Sequence, residues 1–186
     1  MREARFVSGS IGSAPLTLDL TPRERVALHC TSDREATIAA LLACGVVKAS
    51  SGLVLIDDFD PRVQSVACKR VAAFVPHQPF ALDEREFAHY LEYRAALWDI
   101  EPRRARARAQ RLRSTLAGMH ETLAYPLIAA LIGMPELVVL DRPLAIHARL
   151  VLAAVGDVAL LSTHTDAASA HCFAPDPLRV LRATTA

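Results

Sequence analysis

One apolar stretch of the sequence, residues 135–143, ends in an acidic residue followed by a basic one. It runs Pro-Glu-Leu-Val-Val-Leu-Asp-Arg-Pro, so the acid is Asp141 and the base is Arg142. A continuous apolar run, without the polar alternation of a half-exposed strand, is typical of a strand buried on both faces of a parallel sheet. Such a strand delivers Asp141 to the carboxyl edge of the sheet, where open α/β sheets bind their ligands.

A second buried strand is predicted at residues 158–162, and Thr163 and His164 follow it. We expect the two strands to be neighbours and to bring Asp141 and His164 to one crevice, which suggests a nucleotide site. Arg142 argues against hydrolysis there. Domains of this kind that hydrolyse nucleotides place a glutamate after the aspartate to polarise water, and a guanidinium cannot accept a proton. The sequence predicts the fold of a nucleotide-hydrolysing domain without the residue that would polarise water for hydrolysis.

Composition limits the class of protein. A chain of 186 residues is long enough for one well-buried core, so we expect a single domain over residues 1–186. Its hydrophobic content is 52%, yet the apolar runs are shorter than the roughly 18 to 20 residues of a membrane-spanning helix. The N-terminus shows no apolar secretory signal, and the four cysteines form no C-x-x-C pair, so we expect reduced and mostly buried thiols. A formal net charge of +1 gives no general case for nucleic acid binding.

The N-terminal part is predicted to add a half-exposed strand at residues 16–20 and a buried strand at residues 26–29. Residues 30–37 then lead into an apolar helix at residues 38–44. Strand, loop and helix have the layout of a phosphate-binding loop, whose pattern is G-x-x-x-x-G-K-[ST]. Cys30 and Glu35 stand at the glycine positions and Ala36 at the lysine position, so only Thr37 fits.

Further stretches follow in a recognisable order: residues 50–57, residues 75–79, the aspartate strand and residues 161–164. Together they resemble the ATP-binding cassette (ABC) family of transporter ATPases over residues 14–182. The resemblance implies an α/β fold of the P-loop NTPase (RecA-like) type. This fold has a mainly parallel sheet, a small antiparallel N-terminal part and a helical insertion at about residues 80–130.

The resemblance assigns a residual nucleotide-binding position to four residues. They are Thr37 at the magnesium-binding hydroxyl, Gln78 (or His77) at the Q-loop, Asp141 at the Walker B aspartate and His164 at the switch histidine. Other positions depart from the family: Ala36 replaces the lysine and Arg142 replaces the catalytic glutamate. The signature segment falls on residues 117–121, which keep almost none of its serine and glycine donors, and Ala148 falls near the D-loop aspartate. The resemblance is therefore to a degenerate member, and no residue is predicted to be catalytic.

The loop at residues 32–35 is better explained by helix capping than by phosphate binding. Ser-x-x-Glu before an apolar helix is a capping box, in which Ser32 and Glu35 each satisfy the other's backbone amide. Asp33 and Glu35 suit the positive end of the helix dipole, but they would repel a triphosphate. Arg34 offsets part of that repulsion.

Other features have simpler interpretations beside the functional ones. Helical spacing at residues 84–98 predicts either a surface that faces a permease or an ordinary packing helix. The arginine-rich stretch after Pro102 predicts a solvated helix face, with anionic headgroups as an alternative and nucleic acid ranked last. His164, His171 and Cys172 do not follow a zinc pattern, so we expect no metal site.

The function that the resemblance implies is a catalytically inactive ABC-type subunit, a pseudo-ATPase. It would dock on a membrane permease or pair with an active ATPase, as a homodimer or heterodimer, at the inner face of the cytoplasmic membrane. No cofactor is expected. Two alternatives stay open: a weak ATPase, with ATP and Mg²⁺, whose site is completed by a partner chain, and a freestanding scaffold protein.

Overall fold

A parallel β-sheet forms the centre of the protein, as seen in a computed structural model that describes residues 4–11, 14–49, 52–174 and 180–182. Its strands are β3 (Arg25–His29), β5 (Ala72–Val75), β6 (Leu137–Asp141), β7 (Ala159–His164) and β8 (Val180–Arg182). They lie in the order β5-β6-β7-β3-β8, and each neighbouring pair is parallel. Strands β6 and β7 are the two runs predicted from their continuous apolar character, and every residue in both is buried.

Successive side chains of a strand point to opposite faces, so β6 contributes to two separate cores. Leu137 and Val139 pack on one face with helix α1 (Asp33–Ala43) and with Cys68 of α2 (Ser65–Val71). Val138 and Leu140 pack on the other face, against the helical insertion and the two helices that follow it. Because both faces are covered, the strand has no solvated side and its sequence shows no alternation.

A smaller antiparallel sheet lies at the N-terminal part of the chain. It consists of β1 (Ala4–Ile11), β2 (Ala14–Leu20) and β4 (Leu53–Val54), in the order β2-β1-β4. Leu18 and Leu20 of β2 are buried in the same core as α1. The small antiparallel part, the mainly parallel sheet and the α/β class predicted from the sequence are confirmed.

The helical insertion lies between β5 and β6 and consists of α3 (Glu84–Leu97), α4 (Pro102–Thr115) and α5 (Glu121–Leu131). Its predicted bounds, about residues 80–130, are therefore close to the observed ones. Helix α3 begins with a reciprocal capping box between Asp83 and Glu86, and α4 begins at a proline, which has no amide to leave unpaired. A 3-10 turn (Ala145–His147), α6 (Ala148–Val155) and α7 (Ala167–Phe173) complete this side of the sheet.

Pro126 lies inside α5, where a proline removes the amide that would bond the carbonyl four residues earlier. That carbonyl belongs to Thr122, and it accepts a hydrogen bond from the backbone amide of Phe80 at 3.0 Å. The segment that leaves β5 is therefore attached to the helical insertion at the point where the proline frees an acceptor. This contact joins the segment after β5 to the insertion, which also packs on β6 through its apolar side chains.

Three cysteines, Cys30, Cys44 and Cys68, are buried and Cys172 is exposed, and all four are free thiols, as predicted. Among the helices of the described residues, none combines the length and the apolar character needed to cross a bilayer. The last strand was predicted at residues 178–181; residues 178 and 179 lie outside the described part, and β8 covers the remainder.

Candidate functional site

The start of α1 lies where a phosphate-binding loop was considered. The helix begins at Asp33, directly after Ser32 as the capping pattern predicts and ahead of the apolar stretch that starts at residue 38. Ser32 caps it: its hydroxyl accepts a hydrogen bond from the Glu35 amide at 3.2 Å. The predicted capping box is half correct. The Glu35 carboxylate accepts from the amide of Thr31 at 2.7 Å and from its hydroxyl at 2.6 Å, one residue before the expected partner.

Phosphate-binding loops work by leaving backbone amides free to donate to the ligand. Here Thr31 and Glu35 donate their amides to side chains of the same segment. The amide of Cys30 donates to the carbonyl of His164 on β7 at 2.7 Å. The donors that would hold phosphate oxygens at these three positions are therefore already used within the chain.

Thr37 and Asp141, two of the predicted positions, are brought together at the carboxyl edge of the sheet. Thr37 Oγ1, on α1, donates to Asp141 Oδ2, at the end of β6, over 2.8 Å. The Asp141 carboxylate is 4% exposed. Thr163 Oγ1 lies 3.4 Å from its other oxygen, because Thr163 is the partner of Asp141 in the register of β6 and β7.

Arg142 joins these residues through its guanidinium. Its Nε donates to Asp141 Oδ1 at 3.1 Å, and its Nη2 donates to Thr37 Oγ1 at 3.2 Å. Its Nη1 pairs with the carboxylate of Asp33 at 2.6 Å, and the side chain is only 19% exposed. One side chain thus joins the first turn of α1 to the end of β6.

The backbone of Arg142 is in the left-handed region, with φ of 47°, a conformation that residues other than glycine adopt at some cost. Its amide donates to the carbonyl of Thr163 at 3.0 Å. Its own carbonyl lies 2.9 Å from Nδ1 of His77, within hydrogen-bond distance. These contacts hold the turn that directs the Arg142 side chain back towards Thr37.

The electrostatic surroundings of the site are acidic. Burial, and after it the carboxylates of Glu35 and Asp141, raise the pKa of the Cys30 thiol to about 12. Cys30 is therefore protonated at neutral pH and is not a nucleophile. The guanidinium of Arg142 is bonded to the carboxylate of Asp141 and to that of Asp33.

His164 does not share the crevice of Asp141, so that expectation is wrong. Asp141 is paired with Thr163, and the next residue of β7 faces the opposite side of the sheet. There the His164 ring is 1% exposed, packs on the ring of Phe173 at 5.3 Å and has Nε2 at 2.8 Å from Ser162 Oγ. Burial lowers the pKa of His164 to about 4, against the opposing effect of Asp166, so the ring is neutral at pH 7.

The side chain of Gln78 is exposed, and it is the neighbouring His77 that contacts the site through the backbone of Arg142. Of residues 117–121, at the signature position, the first four form a turn that ends in His120, the cap of α5, and Glu121 begins that helix. The sequence did not identify Thr163 or Asp33 as part of the cluster. Thr163 could have been identified from the register of β6 and β7, which pairs it with Asp141. The residual nucleotide roles of Thr37, Gln78, Asp141 and His164 stay predictions.

Residues 84–98 were predicted either to face a permease or to form an ordinary packing helix. The aromatic residues in and beside this segment are mostly internal. Phe87 is fully buried and stacks on Tyr125 with ring centroids 3.7 Å apart. Phe80 and Tyr90 pack edge to face at 5.5 Å, and the Trp98 ring packs over Gly133. Tyr93 is the member of the set that is largely exposed, at 60%.

The arrangement does not fit Mg²⁺ and ATP at this edge. A metal ion bound to Thr37 and Asp141 would have to displace a guanidinium that is bonded to both. Within the described residues there is also no group of three histidine, cysteine, aspartate or glutamate side chains placed to hold a metal ion. The site as it stands is a closed hydrogen-bonded cluster.

Comparison with known proteins supports the fold and gives no match at the level of sequence. No family model matches the chain, and no curated protein matches it. One similar solved structure is the ATP-binding subunit of an ABC transporter, with a TM-score of 0.72 and 16% identity over 92% of this chain and 82% of that one. Another is a bacterial Atm1-family ABC exporter with ATP bound, with a TM-score of 0.64 and 14% identity over 90% of this chain and 34% of that one. The chain has the fold of ABC ATP-binding subunits.

Proposed function

We propose that this protein is a non-hydrolysing ABC-type subunit, which acts beside a membrane permease or an active ABC ATPase at the inner face of the cytoplasmic membrane. The observation that carries the proposal is the position of Arg142. Its guanidinium bonds Thr37, Asp141 and Asp33, at the place where this fold would need a metal ion and a residue able to polarise water.

Two separate parts of phosphoryl-transfer chemistry are missing. Transfer requires a cation at the phosphates and a group that orients the nucleophile. The lysine position holds Ala36, which is completely buried, and the glutamate position holds Arg142, which cannot accept a proton. Either change alone would impair hydrolysis, and the occupied amides of Thr31 and Glu35 remove binding energy as well.

The experiment is an assay of phosphate release by the purified protein with millimolar Mg²⁺ and ATP. We expect no release above a no-enzyme control, and we expect Mg²⁺ and ATP to leave the melting temperature unchanged, since a ligand stabilises a protein only in proportion to its occupancy. Asp141→Asn is the matched variant. Phosphate release that this substitution abolishes would contradict the proposal and favour a weak ATPase completed by a partner chain.

The second half of the proposal is that the protein acts with a partner. A domain that does not hydrolyse nucleotide contributes by binding another protein through its surface. Solved structures with this fold include an ABC transporter subunit and an ABC exporter. Co-purification from native membranes tests this half. Recovery of neither a permease nor another ABC ATPase would favour a freestanding scaffold protein.

A further inference from the structure

We propose that the guanidinium of Arg142 is a built-in cation that permanently replaces a divalent metal ion at the carboxyl edge of the sheet. In this view the oxygens of Thr37 and Asp141 still form a cation site, and its occupant is covalently part of the chain. This inference goes beyond the proposed function, because it depends neither on a partner nor on whether nucleotide is hydrolysed.

The first support is the set of atoms that the guanidinium contacts. It bonds a hydroxyl and the carboxylates of Asp141 and Asp33 over 2.6 to 3.2 Å. Oxygens of these kinds, from side chains on separate elements, are the ligands that hard cations take in proteins. Three of the nitrogens of Arg142, Nε, Nη1 and Nη2, are used, each on a different residue.

The second support is the burial of the Asp141 carboxylate, which is 4% exposed. A carboxylate withdrawn from water needs a positive partner, because an unpaired buried charge is strongly unfavourable. Thr37 and Thr163 approach it with hydroxyl groups, which carry no charge. Arg142 is the cation bonded to this carboxylate in the structure.

The third support is the backbone of Arg142, which is held in an unfavourable left-handed conformation with φ of 47°. The bonds to Thr163 and His77 maintain this turn. This turn carries the guanidinium that contacts Asp141 and Thr37.

The test removes the guanidinium and offers a metal ion in its place. Arg142→Ala leaves Asp141 buried without a counter-charge, so we expect a melting temperature lower by about 5 to 10 °C. With millimolar Mn²⁺ the variant should regain several degrees, and it should bind Mn²⁺ at least about tenfold more tightly than the unaltered protein, measured by the loss of the free-ion electron paramagnetic resonance signal. The unaltered protein should show no response to Mn²⁺.

Three further variants make the result specific. Arg142→Gln removes the charge but keeps a longer side chain than alanine. If the alanine variant does not fold, the melting temperature and the Mn²⁺ binding are measured on this variant instead. Arg142→Ala combined with Asp141→Asn removes the charge that attracts the ion, and it should lose the Mn²⁺ response. Arg62→Ala removes an arginine from an exposed ion pair with Asp60, and it should neither lower the melting temperature appreciably nor bind Mn²⁺.

Absence of Mn²⁺ binding in both Arg142 variants would overturn the inference, and so would equal binding by the unaltered protein or by the double variant. These outcomes are separate from the phosphate-release assay. A protein that releases phosphate contradicts the proposed function, whereas only the Mn²⁺ measurement contradicts the role given to Arg142.

Discussion

Thr37 and Asp141 hydrogen-bond each other at 2.8 Å, and Arg142 bonds both of them. At the scale of single residues, Arg142 supplies the charge that the buried carboxylate of Asp141 requires. Asp141 therefore has a structural role as the partner of Arg142 and Thr163.

His164 offers a test at the same scale, through the dependence of stability on pH. Its pKa is about 4 in the folded protein, below the ordinary value of 6.5, so the unfolded chain binds more protons between these two pH values. Stability is therefore complete above pH 6.5 and falls as the pH decreases towards 4. Between pH 7.5 and 4.5 we expect this one residue to cost about 2 to 3 kcal/mol of unfolding free energy.

The measurement is urea unfolding at both pH values for the unaltered protein and for His164→Gln, which should lose less stability on acidification by that amount. His89→Gln, on an exposed position of α3, is the matched control and should behave like the unaltered protein. An equal loss in all three proteins would mean that His164 is not held neutral in the fold.

Residue identities were predictable here, and side-chain directions were not. Thr37 and Asp141 were identified because each follows a strand or loop pattern that places it at the sheet edge. The direction of Arg142 depends on a positive φ, which the sequence does not reveal for a residue other than glycine. The burial of His164 follows from a register that pairs Asp141 with Thr163, and a register offset of one residue reverses the face.

At the scale of elements, the first turn of α1 shows which signal fixes the start of a helix. The apolar pattern begins at residue 38, but capping by Ser32 extends the helix back to Asp33. Apolar periodicity reports the packed face of a helix, whereas its start is fixed by polar side chains that satisfy free amides. The buried strands β6 and β7 were predicted closely because continuous apolar runs of that length are typical of strands that are covered on both faces.

The capping of α1 gives a prediction at this scale. Ser32→Ala leaves the Glu35 amide without its acceptor, so we expect a loss of about 1 kcal/mol in unfolding free energy. Ser114→Ala is the control, because that hydroxyl bonds the Gln110 carbonyl on an exposed face of α4, where side-chain bonding to a helix carbonyl adds little stability. Equal effects of the two substitutions in urea unfolding would show that Ser32 does not cap the helix.

At the scale of the whole molecule, the chain keeps both covered faces of its sheet and the helical insertion, while the site between them is closed by its own side chains. The two cores lie on opposite faces of β6, and the insertion is attached to the sheet edge through the bond from Phe80 to Thr122. The packing that defines the fold uses apolar residues, whereas the cluster at the carboxyl edge is made of a few polar ones, so the fold does not by itself determine the chemistry of that cluster.

The surface of α3 provides the last prediction, which concerns partner docking. Tyr93 and Leu97 lie four residues apart on one face of that helix and are 60% and 54% exposed. Exposed apolar side chains grouped in this way are typical of a binding surface, and tyrosine is enriched among the residues that contribute most to binding. Tyr93→Asp and Leu97→Asp should therefore each reduce the recovery of a permease or an ABC ATPase from native membranes by tenfold or more, on the order of 1.4 kcal/mol.

Because both side chains are exposed, these substitutions should leave the melting temperature within about 2 °C of the unaltered value. Val66→Asp is the matched control, since Val66 is 67% exposed on α2, which packs on the opposite face of the sheet. If Val66→Asp reduces recovery as much as the α3 variants, the effect is one of added charge and α3 is not the docking surface. If none of the three reduces it, the partner binds elsewhere on the molecule.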